Sequence, residues 1–147
     1  MSLSFTIKAN LPTAREFQAL RSTVGWGDVS LEQAYSALAG SLFGVTAFDG
    51  DTAIGMARLI GDGVINAYIQ DVVIVPDYRG KGVGKAVMQA LITQMKRELP
   101  TNCTIGLMAA KDQDDFYTSF SFITRPNADY GAGMFAKLAD ITDGTLS

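Results

Sequence analysis

The feature that most constrains the fold is a glycine-rich turn, Arg79–Lys85, which lies between a β-branched run and a helical pattern. The run Val72–Val75 predicts a short strand buried on both faces, and Pro76 ends it because proline cannot donate to a strand ladder. Beyond the turn, apolar residues recur every three or four positions from Val83 to Leu99, which predicts a helix with one apolar face. The chain therefore predicts a strand, a glycine turn and a helix N-terminus in direct succession.

The turn has the composition of a phosphate-binding loop. A helix start carries backbone N–H groups without partners and the positive end of the helix dipole, and glycine lets an anion approach them closely. Arg79, Lys81 and Lys85 add positive charge at the same place. These residues predict a phosphate or pyrophosphate cradle, and the simpler alternative is a tight turn with solvated lysines.

Two common phosphate-binding motifs do not fit this turn. The P-loop requires a serine or threonine where Ala86 stands. The dinucleotide fingerprint requires a last glycine where Lys85 or Val87 stands. The pattern that fits is [RQ]-x-x-G-x-[GA], formed by Arg79–Gly84. This segment resembles the signature of the GCN5-related N-acetyltransferases (GNAT family), which cradle the pyrophosphate of acetyl-coenzyme A (acetyl-CoA).

The resemblance implies an N-acetyltransferase that uses acetyl-CoA as cosubstrate and no metal ion. It assigns polarisation of the thioester carbonyl to backbone N–H groups of the strand Val72–Ile74, where the neighbouring parallel strand splays away. The implied contacts to acetyl-CoA are Val72, Val73, Ile74, Arg79, Gly80, Lys81, Gly82, Val83, Gly84 and Lys85.

Composition excludes several other classes of protein. The 147 residues, with 48% hydrophobic and 18% charged content, suit one domain, 1–147, with one core. The absence of histidine removes Ser-His and Cys-His triads and leaves little to bind zinc. A net charge of −3 predicts no nucleic-acid partner, and no apolar run approaches a membrane span. The single cysteine, Cys103, indicates a reducing compartment, which predicts a cytoplasmic protein.

The N-terminal half predicts strands and two helices. Pro12 and Thr13 begin the first helix, and Ser30 is a candidate N-cap for the second, with Gln33 in the capping-box position and Gly40 as the helix stop. Tight turns around Gly50 and within residues 61–63 predict an antiparallel meander. The predicted strands are Phe5–Lys8, Leu42–Phe48, Thr52–Ile60 and Val64–Val75, and the predicted helices run from Thr13 to about Ser22 and from Ser30 to Gly40.

The C-terminal third predicts three more strands, one short helix and a loose tail from about residue 141. Cys103–Met108 follows the helix after the glycine turn, so it should be a parallel neighbour of the strand that precedes the turn. The other elements are the helix Asp112–Tyr117 and the strands Phe120–Thr124 and Met134–Leu138. The resulting fold class is α/β (α+β), a GNAT-like, mostly antiparallel mixed sheet with central splayed parallel strands flanked by helices.

A second segment carries the resemblance beyond the turn. Phe116–Phe122 resembles the family pattern F-Y-x-x-x-G-F, and it departs from that pattern at Ser121, where glycine is usual. The resemblance implies that Tyr117 is the general acid that protonates the departing thiolate. The simpler alternative for Tyr117 is a half-buried helix tyrosine.

The general base is less clearly marked in the sequence. Many family members carry a carboxylate at the entry to the signature strand, and Asp71 is the carboxylate found there. Asp71 is therefore the candidate base, and the alternative is that it makes a structural hydrogen bond. A chain of waters, or an amine that is already partly neutral, would serve equally well.

The acceptor is expected to be a small-molecule primary amine, with a peptide or protein amine as the weaker alternative. An aromatic-lined pocket for an arylalkylamine or polyamine is predicted from Trp26, Tyr35, Tyr68 and Tyr130. Two other classes of function stay open: a non-catalytic CoA or acyl-CoA sensor, and a structural partner that uses the fold for dimer contacts. A homodimer is possible in each case.

Overall fold

The computed structural model of the chain describes residues 4–145. The chain divides into two compact units, one that ends at Leu107 and one that begins at Met108, and each is described by itself. The predicted tail falls partly outside the described residues, because residues 146–147 are not described. No helix between residues 4 and 145 is both long and apolar enough to cross a membrane.

The first unit contains the sheet and the three longest of the described helices. The strands are β1 (Thr6–Lys8), β2 (Phe43–Asp49), β3 (Thr52–Gly61), β4 (Asn66–Ile74) and β5 (Thr104–Gly106). The helices are α1 (Ala14–Thr23), α2 (Leu31–Ala39) and α3 (Val83–Glu98), and Pro76–Tyr78 forms a 3₁₀ turn. The meander and the helix after the glycine turn are confirmed.

The five strands form one sheet in the order β1-β2-β3-β4-β5. Neighbours from β1 to β4 are antiparallel, and β4 and β5 are parallel. The parallel ladder is short, because it joins only Asn66–Tyr68 to Thr104–Gly106. The predicted mixed, mostly antiparallel sheet is therefore confirmed, and β5 is shorter than the predicted strand Cys103–Met108.

Local sequence explains where α1 and α2 begin. The Thr13 hydroxyl accepts a hydrogen bond from the N–H of Glu16 at 3.2 Å, and the Glu16 carboxylate accepts one from the N–H of Thr13 at 2.9 Å. Ser30 and Gln33 form the same reciprocal pair at 3.0 and 2.9 Å. Both capping boxes satisfy helix N–H groups that would otherwise lack partners, so the helix starts are fixed locally.

The loop before β4 corrects one predicted boundary. A single oxygen of Asp62 accepts hydrogen bonds from the N–H groups of Val64, Ile65 and Asn66 at 2.7, 2.8 and 3.0 Å. These backbone bonds, led by the one from Asn66, lower the pKa of Asp62 below its ordinary value of 3.8. Because the loop binds these N–H groups, β4 starts at Asn66 and not at Val64.

Helix α3 covers the sheet, packing on β2 and β3. Its buried apolar residues are Val83, Val87, Met88, Leu91 and Met95. A second buried cluster joins α1 and α2 to the sheet and consists of Ala14, Phe17, Leu20, Ala34, Met56 and Val73. Burial along β4 alternates, with Val73 buried and Val72 and Ile74 half-buried. The prediction that this strand is buried on both faces was therefore wrong, because one face is only partly covered.

The second unit contains one short α-helix, α4 (Asp114–Thr118), and a 3₁₀ turn at Leu138–Asp140. The predicted strands Phe120–Thr124 and Met134–Leu138 were wrong, because the part of the chain described from Met108 onward contains no strand. The apolar character of these segments suggested strands, but a strand also requires a hydrogen-bonded neighbour. Phe120 and Phe122 instead bond to the end of α4 through their backbone N–H groups.

Candidate functional site

The glycine turn adopts a backbone conformation that favours glycine. Gly80 has φ +73° and Gly82 has φ +85°, both in the left-handed region that other residues rarely adopt. A Cβ atom placed on either glycine would meet no atom within 4 Å. The two glycines are therefore required by the turn geometry and not by packing, and the space beside them is open.

The turn leads directly into the N-terminus of α3. Gly82 is the N-cap residue and provides no side-chain cap, while Val83 is buried and anchors the first turn. The first N–H groups of α3 thus face the open side of the turn with no side-chain acceptor from the N-cap, next to the positive end of a 16-residue helix dipole. This arrangement can bind an anion such as a phosphate.

Charged and aromatic side chains hold and surround the turn. Arg79, Lys81 and Lys85 are all exposed, as expected for groups that meet a ligand or water. The Lys81 ammonium lies 5.7 Å from the centre of the Tyr78 ring. The Tyr78 hydroxyl donates to Asp49 Oδ2 at 2.6 Å, and this bond raises the pKa of Tyr78 and fixes the turn to the end of β2.

At the end of β4, one side of the strand is left unpaired by the described strands. The Val75 N–H donates to the Ile54 carbonyl at 2.9 Å, so it points toward β3. Because peptide groups alternate in direction along a strand, the N–H groups of Ile74 and Val72 point away from β3. None of the described strands pairs with β4 on that side beyond Tyr68. These N–H groups are therefore placed to donate to a ligand.

A β-bulge precedes this segment. Met56 pairs with Val73 and Arg58 with Gln70, so β4 has one residue more than β3 between the two pairs. Asp71 lies in the bulge with φ +56°, an uncommon conformation for a residue other than glycine. Its side chain is buried.

Two arginines bind the Asp71 carboxylate. Arg21 of α1 donates through Nη1 to Oδ1, and Arg58 of β3 donates through Nε to Oδ2 at 2.6 Å. Arg21 also donates to the Trp26 carbonyl at 3.2 Å, and Arg58 donates to Ser41 Oγ at 3.1 Å. The sequence suggested a base or a structural hydrogen bond for Asp71, and the observed contacts favour the structural role.

Sequence reasoning missed Arg21 and Arg58. They lie 50 and 13 residues from Asp71, so no local motif links the three. One signal was present: Arg58 interrupts the otherwise apolar centre of β3, and a charged residue at a buried strand position requires a partner.

The predicted aromatic acceptor pocket stays a prediction. Trp26 is 41% and Tyr35 62% exposed, while Tyr68 is half-buried and its burial raises the pKa of the phenol. In the second unit, the Arg125 guanidinium lies 5.4 Å from the centre of the exposed Tyr130 ring. A cavity of about 470 Å³ forms an open groove lined by Arg15, Gln18, Ala19, Ser22, Asp28 and Val29. It contains none of these aromatic residues.

Tyr117 of the second unit lies in a well-defined helix end. Its carbonyl accepts from the N–H of Phe122 at 3.4 Å, and the Thr118 carbonyl accepts from the N–H of Ser121 at 2.9 Å. These two bonds form a Schellman motif, and the Tyr117 and Phe122 rings pack edge to face with centres 6.4 Å apart. Burial raises the pKa of the Tyr117 phenol. The hydroxyl therefore keeps its proton at neutral pH.

Ser121 occupies the position of this motif that glycine normally fills, and its φ is +73°. We expect Ser121→Gly to raise stability by about 0.5–1 kcal/mol, because it removes left-handed strain of about 1–2 kcal/mol and adds about 0.5–1 kcal/mol of chain entropy. The measurement is the Tm by thermal denaturation. Ser119→Gly is the matched control, because Ser119 has φ −62° and should lose stability. A lower Tm for Ser121→Gly would contradict the strain argument.

Comparison with known proteins relates the chain to acetyltransferases. A family model described as the acetyltransferase (GNAT) family matches residues 11–122. The uncharacterized N-acetyltransferase ycf52 of Porphyra purpurea is 38% identical over 124 residues, which cover 82% of this chain and 69% of that protein. The chloroplastic serotonin N-acetyltransferase 2 of Oryza sativa subsp. japonica is 35% identical over 88 residues, which cover 60% of this chain and 43% of that protein.

Solved structures give the same result. A probable acetyltransferase of unknown function from meticillin-resistant Staphylococcus aureus has a TM-score of 0.81 at 30% identity, covering 91% of this chain and 99% of that chain. A GNAT family acetyltransferase from Streptococcus pneumoniae has a TM-score of 0.76 at 26% identity, and the match covers 92% of this chain and 99% of that chain. Fold and sequence thus define an acyltransferase, and the chain belongs to the GNAT family of acetyltransferases.

Proposed function

We propose that the protein transfers an acetyl group from acetyl-CoA to a primary amine by direct attack in a ternary complex. The observation that carries the proposal is the geometry of the first unit. There the open glycine turn at Gly80 and Gly82 and the start of α3 directly follow the side of β4 that pairs with none of the strands described between residues 4 and 145. A ligand with both a pyrophosphate and a carbonyl group matches these two features.

The cradle fits the pyrophosphate of acetyl-CoA. The first N–H groups of α3 supply backbone donors, and the open space at Gly82 lets phosphate oxygens approach them. Arg79, Lys81 and Lys85 add charge-assisted contacts to phosphate oxygens. The N–H groups of Val72 and Ile74 then donate to the thioester carbonyl and stabilise the oxyanion that forms on it.

The reaction requires two proton transfers. The amine nitrogen attacks the thioester carbon, the C–S bond breaks, and the nitrogen releases its proton to solvent water. Tyr117 donates its phenolic proton to the departing sulfur and later regains one from solvent. The family motif and the raised pKa of Tyr117 support this role, because the phenol stays protonated and available as a donor at neutral pH.

We propose an arylalkylamine as the acceptor. A net charge of −3 favours a cationic amine weakly, and the exposed Trp26 and Tyr35 offer aromatic surface near the α1–α2 loop. The Arg21 guanidinium lies 5.8 Å from the centre of the Trp26 ring, so one face of that ring is occupied. The relative from Oryza sativa is named for serotonin, an amine of this class.

The test is a calorimetric titration with acetyl-CoA, followed by a thiol-release screen over aryl, aliphatic, polyamine and peptide amines. Binding with release for arylalkylamines is the expected result. Binding without release for any amine would favour a CoA-binding sensor. No binding would contradict the placement of acetyl-CoA at the glycine turn.

We propose that the protein is a homodimer whose second copy covers apolar residues of the second unit. Ile123, Met134, Phe135, Leu138 and Ile141 are between 61% and 86% exposed. Burying about 100 Å² of each side chain would remove about 500 Å² per copy, or about 1,000 Å² in total, which is the lower limit of a specific interface.

We expect light scattering to give the mass of a dimer, and Phe135→Asp to shift it to that of a monomer. Thr142→Asp introduces the same charge at an exposed polar position and should keep the dimer mass. A monomeric wild-type protein would contradict this proposal.

We place the protein in a reducing compartment such as the cytoplasm, because Cys103 is a free thiol.

A further inference from the structure

The conformation of Asp71 determines which N–H groups β4 presents. Before the bulge, the Ile65 carbonyl accepts from the Thr104 N–H at 2.8 Å, so the N–H and C=O groups of odd-numbered residues face β5. After the bulge, the Val75 N–H donates to the Ile54 carbonyl of β3, so odd-numbered residues face β3 and the N–H groups of even-numbered residues face the open side. The extra residue at Asp71 therefore turns the N–H groups of Val72 and Ile74 toward the open side.

The left-handed conformation of Asp71 requires compensation from its surroundings. A non-glycine residue is unfavourable in this region, because its Cβ atom comes too close to the following carbonyl oxygen. Two ion pairs to the Asp71 carboxylate offset this unfavourable conformation. One comes from Arg58 on the neighbouring strand β3, and the other comes from Arg21 on helix α1. Both arginines are largely buried, with side chains 17% and 13% exposed for Arg21 and Arg58. The ion pairs thus hold the bulge from both of its neighbouring elements.

The same contacts leave Asp71 poorly placed to act as a base. Its side chain has no exposed surface, and each carboxylate oxygen faces a guanidinium group. A general base must lie within hydrogen-bond reach of the proton that it takes, and an amine has no open oxygen to approach here. The carboxylate is bound to the protein and not presented to a substrate.

We propose that Asp71 is a positioning residue: held by Arg21 and Arg58, it fixes the bulge and so aims the N–H groups of Val72 and Ile74 at the acetyl carbonyl. Arg21 also donates to the Trp26 carbonyl, which ties the α1–α2 loop to the same carboxylate. This inference rests on the proposed function. It assigns the two arginines a role in carbonyl polarisation, although neither contacts the substrate.

The experiment compares wild type with Arg21→Gln and Asp71→Asn, using Arg15→Gln as the control. Arg15 is an exposed arginine on the same helix, so its replacement changes the charge equally without touching Asp71. Three quantities are measured: the affinity for acetyl-CoA by calorimetry, kcat against pH, and the infrared carbonyl band of bound acetyl-CoA labelled with ¹³C at the thioester carbon. The band reports directly on carbonyl polarisation.

We expect kcat to fall about 100-fold in Arg21→Gln and Asp71→Asn, since misplacing reacting groups by about 1 Å costs that much. Affinity for acetyl-CoA should stay within about threefold of wild type, because the cradle at Gly82 is separate from the carbonyl donors. The shape of the pH–rate profile should stay as in wild type. The carbonyl band should move from its polarised position toward that of free acetyl-CoA, while Arg15→Gln keeps all wild-type values.

Two outcomes would overturn the inference. One is a carbonyl band that stays at its wild-type position in both variants, which would show that the ion pairs contribute to the stability of the fold and not to carbonyl polarisation. The other is loss of the acidic limb of the pH–rate profile in Asp71→Asn with normal kcat in Arg21→Gln, which would restore Asp71 as the base. If Asp71→Asn does not fold, Arg21→Gln alone decides. The infrared comparison needs no turnover, so it still tests the inference if wild type releases no thiol and the proposed function fails.

Discussion

Replacing Tyr117 with phenylalanine is expected to lower kcat by about 10²–10⁴-fold, the usual range for the loss of a general acid. Affinity for acetyl-CoA should not change, because the phenol acts on the sulfur only as the C–S bond breaks. The packing should also persist, since phenylalanine keeps the edge-to-face contact with Phe122. The measurement is the steady-state rate of thiol release, with acetyl-CoA binding followed in parallel.

The pH dependence provides a second test of Tyr117. Burial favours the neutral phenol and raises its pKa above the ordinary value of 10.0, so the phenol loses its proton only at strongly alkaline pH. The midpoint of the rate loss caused by this group should therefore lie above 10.0 in wild type, and this loss should be absent in Tyr117→Phe. Phe116→Leu perturbs the same aromatic cluster and keeps the hydroxyl, so its kcat should stay within a few-fold of wild type. An equal loss of rate in both variants would show that packing, and not the proton, matters.

Replacing Gly82 with valine is expected to weaken acetyl-CoA binding by about 100-fold or more. The new side chain would project into the open space beside the first turn of α3, where the proposal places the pyrophosphate. Losing two charge-assisted hydrogen bonds of about 1.5–3 kcal/mol each accounts for a change of this size. Calorimetric titration of the variant with acetyl-CoA measures it.

This experiment must separate backbone strain at residue 82 from steric exclusion of the pyrophosphate, because valine at a left-handed position is unfavourable in any loop. Gly50→Val is the matched control: Gly50 has φ +60°, and a Cβ atom there also meets nothing within 4 Å. It lies in the turn between β2 and β3, so it should lose stability with no loss of affinity. Similar affinities for Gly82→Val and wild type would rule out pyrophosphate at this turn.

The elements that depend on neighbouring residues were predictable from the sequence. The helix start near Thr13, the capping box at Ser30 and the glycine turn before α3 involve contacts within a few residues, and each appears where it was expected. At Ser121 the sequence showed only a departure from the family pattern, and the structure adds that the backbone there is left-handed. In these places the physical cause lies within the motif itself.

The features that depend on distant residues were not predictable. The ion pairs of Asp71 join α1, β3 and β4, and nothing near Asp71 in the sequence indicates its positive φ. The predicted strand Met134–Leu138 failed for a related reason. An apolar run predicts burial, but whether it becomes a strand depends on a neighbour that can pair with it.

The start of α3 also affects how long the protein would survive in a cell. Because Gly82 contributes no side-chain acceptor, a bound anion would supply hydrogen-bond partners to the first turn of this helix. A ligand present at 100 times its Kd would stabilise the folded chain by about 2.7 kcal/mol and reduce the unfolded fraction about 100-fold. Since proteases degrade the unfolded fraction, the abundance of this protein should rise and fall with the supply of activated acetyl groups.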